Sequence, residues 1–133
     1  MELTNRLPRD FFKINHVLIN IPTGTIDDAI VFYTDILGCE QITGEHPNEA
    51  VWFTFGNIEL HVREEEDINV AKSSRHIAME VKDLLLFTIY LESKDMEIQY
   101  SSEIEGRKRL FIRDPFGNRF EFIEFKKPNY TLK

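Results

Sequence analysis

Two histidines and two glutamates stand where they could share one task. His16 and His76 are sixty residues apart, each near the head of an alternating apolar stretch, INHVLINI and RHIAMEV. Glu59 and Glu121 lie in later stretches of the same kind, NIELHV and RFEFIE. Two imidazoles and a carboxylate suit a divalent transition metal that keeps open coordination positions. The fourth position has two readings. Counting from the histidines sets Glu121 opposite His61; counting from the repeated Phe-Gly-Asn at 55–57 and 116–118 sets it opposite Leu60. Glu59 and His61 are two apart, so an unbroken strand puts both on one face. His61 is favoured for a site role, and Glu59 is the competing ligand.

These side chains need elements to hold them. Residues 13–21 alternate and carry β-branched side chains, which predicts a strand ended by Pro22 and Gly24. Thr25 reads as a helix N-cap, with Asp27 and Asp28 in the first turn. Ile26, Ala29, Ile30, Tyr33, Ile36 and Leu37 fall on one helical face, and Gly38 stops it. Short strands are expected at 40–43, 51–55 and 58–63, with a polar turn at 44–48 and a tight turn at Gly56-Asn57. After a charged linker, 64–74, the order repeats. A strand at 76–81 is followed by a helix from Asp83 to about 94, with Leu84, Phe87 and Leu91 inward. Strands at 97–100, 109–113 and 119–125 complete the second half, and a frayed tail is expected at 126–133. The expected fold is α+β: one domain of two β-α-β-β-β modules, 13–63 and 75–125, forming a curved mixed sheet around a cleft. If the modules pair about a pseudo-twofold axis, His16, His76 and Glu121 point into that cleft.

Bulk properties fit this reading. The chain has 133 residues, 42% hydrophobic and 29% charged, an ordinary globular composition for one domain. A net charge of −7 disfavours nucleic acid and anionic membrane surfaces as partners. No window approaches the apolar length of a membrane span, and residues 1–12 lack the apolar stretch of a signal peptide. The single cysteine, Cys39, reads as a packing residue, and a lone thiol suits a reducing cytoplasm. Eleven phenylalanines point to an aromatic core or an aromatic-lined cavity. Asp114-Pro115 and Gly117 shape the turn before the last strand. Arg113 and Arg119 flank that turn and are expected to be solvated, as is the acidic run 64–67. Trp52 and Phe53 alternate, so one of them faces the cleft.

The order and spacing of INHVLINI, FYTDILGCE at 32–40, RHIAMEV and DPFGNRFEFIE at 114–124 resemble the vicinal oxygen chelate superfamily over residues 14–125. That superfamily includes glyoxalase I, fosfomycin-resistance enzymes, extradiol dioxygenases, methylmalonyl-CoA epimerase and bleomycin-binding proteins. DPFGNRFE is similar to its DP-x-G-x-x-x-E signature, whose glutamate falls on Glu121. The resemblance implies that His16, His76 and Glu121 bind a divalent metal (Ni, Co, Zn, Mn or Fe), with His61 or Glu59 as fourth ligand or proton shuttle. It implies a metal-dependent lyase or isomerase whose small substrate chelates through vicinal oxygens, working as a homodimer. Fosfomycin chemistry is disfavoured: in place of the basic cluster expected beyond Glu121 stand Lys126, Lys127 and Tyr130. Two alternatives are an extradiol-type dioxygenase and a metal-free small-molecule binding or resistance protein.

Overall fold

The structure, a computed structural model, describes residues 5–126; most of the expected tail lies outside the described residues. The first module comprises β1 (His16–Ile21), α1 (Ile26–Val31), β2 (Gln41–Ile42), β3 (Val51–Phe55) and β4 (Ile58–Glu64). The second comprises β5 (His76–Glu80), α2 (Leu84–Ser93), β6 (Gln99–Tyr100), β7 (Arg107–Arg113) and β8 (Arg119–Phe125). Each module forms a four-stranded mixed sheet, ordered β1-β4-β3-β2 and β5-β8-β7-β6. The first strand of each module pairs parallel with its last strand, and the other pairs are antiparallel.

Local chemistry explains the boundaries. α1 continues into a π-helical turn, Phe32–Ile36, and then closes as expected at Gly38, whose φ is +68°. Cys39 N–H donates to the Tyr33 carbonyl across that glycine. Burial pushes the Cys39 thiol up to about 11, which fits a packing role. β7 starts earlier than expected, because Glu105 and Gly106, both at positive φ, close a hairpin between Ile104 and Arg107.

The helix starts show a device that the acidic run concealed. Thr25 makes no side-chain cap. Instead the Glu64 carboxylate, at the end of β4, accepts from the amides of Gly24, Thr25 and Ile26 at 2.6, 2.8 and 3.2 Å. Sixty residues on, Glu124 accepts from the Leu84 amide at 2.7 Å, beside the expected Asp83 cap on Leu86. In each module the parallel pair brings a strand-end carboxylate to the orphan amides at a helix start, where the helix dipole also favours it.

The two sheets bury their helix-bearing faces in one core. Phe53, Phe55, Leu60 and Val62 from the first sheet join Leu110, Ile112, Phe120 and Phe122 from the second. The Phe55 and Phe120 rings are 5.7 Å apart. In a single sheet joined edge to edge at β1 and β5, β3 and β8 would be separated by four strand spacings, about 19 Å. The modules of one chain are therefore stacked through their helical sides. Tyr33, fully buried, donates to Asp114 across this interface at 2.6 Å.

Candidate functional site

The strand register settles which positions correspond. His16 lies opposite Glu59, and Leu18 opposite His61. His76 lies opposite Arg119, and Ala78 opposite Glu121. Relative to its histidine, His61 therefore occupies the place of Glu121, and Glu59 that of Arg119. Since strand side chains alternate, His16, Glu59 and His61 share the face of the first sheet that carries no helix, and His76 and Glu121 share the corresponding face of the second.

On the second sheet, His76 Nε2 is 3.0 Å from Glu121 Oε1, and its Nδ1 is 2.9 Å from the Ser74 carbonyl oxygen. A carbonyl only accepts, so Nδ1 carries a proton and a neutral ring turns its Nε2 lone pair toward the carboxylate. Two acceptors facing each other at this distance call for a cation or a proton between them. A carbonyl that fixes the tautomer from behind is also the usual support of a metal-ligating imidazole. The donor set thus fits a divalent metal. Glu121 is buried, and Arg109 Nη1 donates to its Oε2 at 3.1 Å. Arg109 is itself fixed by Ser101 Oγ and the Ser102 carbonyl.

The first sheet offers a different half. His61 is buried, with Nε2 2.9 Å from Glu59 Oε1. Its ring lies between His16 at 4.0 Å and Trp52 at 3.9 Å, and Trp52 stacks in turn on His46 at 4.0 Å. Three of the four histidines and the one tryptophan form a single column. An imidazole lone pair lies in the ring plane, so two stacked rings cannot both reach one ion as they stand. His16 with Glu59, or His61 after one ring turns, is the combination open to a metal. Of the Trp52–Phe53 pair, Trp52 faces the cleft side and Phe53 fills the core.

Among the described residues no group of three or more potential ligands is gathered within one chain. His16, Glu59 and His61 are on one open face, and His76 with Glu121 on another, because the helical faces are turned together. Sequence reasoning missed Arg109 and the His46–Trp52 stack. Arginines at 107, 109 and 113 do alternate along β7, which was a readable signal; the stack depends on the pairing of Trp52 with His61. Arg113 and Arg119 are not simply solvated: Arg113 donates to three backbone carbonyls, and Arg119 covers the Phe111 ring.

Residues 13–122 match the Glyoxalase/Bleomycin resistance protein/Dioxygenase superfamily. The chain belongs to this superfamily. A glyoxalase family protein from Bacillus anthracis shares 31% identity at a TM-score of 0.79, over 93% of this chain and 100% of that one. Lactoylglutathione lyase from Agrobacterium tumefaciens shares 22% identity at a TM-score of 0.67, over 86% and 94% of the two chains. The fosfomycin resistance protein FosX from Listeria monocytogenes, solved with Mn(II) and a dihydroxypropylphosphonic acid, shares 14% identity at 0.72, over 85% and 92%. The last two show the glyoxalase-superfamily fold alone. Lys126, one of the candidates named beyond Glu121, is paired with Glu103 at 2.7 Å. Lys127 and Tyr130 lie outside the described residues. No helix among the described residues is long and apolar enough to cross a membrane.

Proposed function

We propose that this glyoxalase-superfamily protein is a metal-dependent lyase or isomerase. Its small substrate would chelate through vicinal oxygens in a cleft shared by two copies of the chain. The observation that carries the reading is the His76–Glu121 pair, an imidazole nitrogen and a buried carboxylate oxygen 3.0 Å apart, with the other ring nitrogen held by the Ser74 carbonyl. The partner's first sheet would supply His16 and either Glu59 or His61. A bound divalent cation, such as Ni, Co, Zn, Mn or Fe, supplies Lewis acidity to adjacent substrate oxygens. Arg109 holds the Glu121 carboxylate in place, and buried His61 is positioned to exchange a proton with Glu59. Trp52 lines the pocket of the first sheet, and on the second sheet Phe111 stands edge-on to His76 at 5.2 Å.

The test is the metal content of protein purified without added metal or chelator, compared with Glu121→Ala. The wild type should hold a transition metal near stoichiometry, and the folded variant should lose it. Full occupancy in Glu121→Ala would sink the ligand assignment.

The ring column favours a second reading, metal-free sequestration of a small molecule, because His16 and His61 cannot share an ion while stacked. Saturable ligand binding that ignores chelators, in protein that takes up no metal, would select it.

A further inference from the structure

We propose that Arg119 anchors an anionic group of the substrate, a carboxylate or phosphate, beside the His76–Glu121 pair. This rests on reading the open face of the second sheet as substrate cleft. Three observations carry it. First, the Arg119 guanidinium lies 3.9 Å from the Phe111 ring centroid, so its orientation is fixed. Stacking satisfies no N–H, and Arg119 Nε is buried with no acceptor among the described residues. Nε itself is covered by protein atoms, so the Nη groups of the fork are what an incoming anion can meet.

Second, Arg119 lies directly opposite Arg113, a like-charged cross-strand pair that is unfavourable on its own. Arg113 is satisfied by the carbonyls of Gly117, Ser73 and Val70. Among the described residues no carboxylate forms an ion pair with either arginine. In a chain of net charge −7, neither guanidinium has a direct carboxylate partner among those residues.

Third, the position suits a substrate. Arg119 is paired with His76 on β5 and is two residues from Glu121 on the same face, about 6–7 Å along the strand. It also lines, with His76, the edge of a groove of about 520 Å³ that runs between β1, the linker and the start of β5; Glu121 is not among the walls of that groove. The linker adds Glu65, Glu66 and Asp67 to that groove, but these are exposed and screened by water, whereas the Arg119 guanidinium is held in place on the Phe111 ring. Arg107 stacks similarly on Phe125, with an equally orphaned Nε, but it lies at the far end of the sheet from His76.

The experiment is equilibrium dialysis of the chelator-treated full chain against radiolabelled malonate and, separately, radiolabelled inorganic phosphate. Variants are Arg119→Gln, Arg119→Lys and Lys108→Gln. The last removes the same charge from the other face of β7. Saturable, salt-sensitive binding by the wild type is expected, weakened about tenfold or more in Arg119→Gln and unchanged in Lys108→Gln. Arg119→Lys should fall between, since it keeps the charge and loses the planar fork. The tighter of the two probes identifies the source as carboxylate or phosphate. Absence of saturable binding by the wild type, or wild-type affinity in folded Arg119→Gln, overturns the proposal. If Arg119→Gln does not fold, wild-type affinity in Arg119→Lys overturns it instead. Because no metal is present, the two readings fail separately: metal retention without anion binding sinks this inference alone, and anion binding without metal sinks only the reading beneath it.

Discussion

At the scale of single residues, the candidate site rests on which atom faces which. His76 and Glu121 meet because β5 and β8 pair in parallel with Ala78 opposite Glu121, and Ser74 turns the imidazole edge-on. Arg109 does not meet the ion in this account; it fixes the carboxylate that does. Arg109→Met should therefore weaken metal affinity by about 10–100-fold without abolishing it, as read by competition against a chelator of known affinity. An unchanged affinity would make Arg109 a packing residue only. Trp52 offers an independent reporter, because it is the only tryptophan and stacks on His61. Cobalt or nickel added to chelated protein should quench its emission, and the quench should vanish in a Glu59→Ala/His61→Ala variant. The histidines were legible from their sixty-residue spacing, and Glu121 from the turn that precedes it. The stack was not legible. Sequence spacing gives the face of a side chain, while its ring plane is decided by the neighbouring strand.

At the scale of elements, Tyr33 and Asp114 join the modules, and their chemistry predicts a pH dependence. Burial pushes the Asp114 carboxyl above its usual range, while hydrogen bonds from Tyr33 and Asn118 pull it back. A carboxyl raised on folding stabilises most below its unfolded value, and that contribution fades as pH rises through the folded value. Tyr33→Phe removes one of the groups that restrain the rise. It should cost about 1–3 kcal/mol at neutral pH and less in acid, measured as the difference in urea midpoints between variant and wild type across pH. A gap that widens in acid would contradict this sign. The repeated Phe-Gly-Asn tripeptides make a second comparison. Gly56→Ala meets only the flexible end of Met79, at 2.7 Å, and should cost about 1–2 kcal/mol for its left-handed backbone. At Gly117 the added carbon would stand 2.6 Å from the Ala71 backbone, so Gly117→Ala should be clearly worse in thermal melts. Element order was readable because alternation, Asp83 and Gly38 are local signals. The Glu64 and Glu124 caps were not, since they join residues about forty apart that only the parallel pairing brings together.

At the scale of the whole molecule, two repeated modules can be joined in two ways, and the choice decides where the cleft lies. The sequence showed that each half carries alternating apolar strands and so one sheet face to cover. It could not show whether the helical faces of one chain meet each other, since that depends on long-range contacts such as Phe55 with Phe120. With those faces buried together, each chain would present two separate half-sites under the proposed function, and a closed twofold pairing of copies would make two complete ones. Two broken chains should therefore repair each other. One variant carries His16→Ala, Glu59→Ala and His61→Ala, the other His76→Ala and Glu121→Ala. Purified alone, neither should hold metal. Co-expressed, they form mixed dimers with one intact site, and metal content should return to about a quarter of the wild-type value for random pairing. Elemental analysis of the co-expressed pair is the most direct measurement. Recovery near that fraction is the predicted result, and metal-free mixed dimers of folded chains would contradict a cleft shared between two copies.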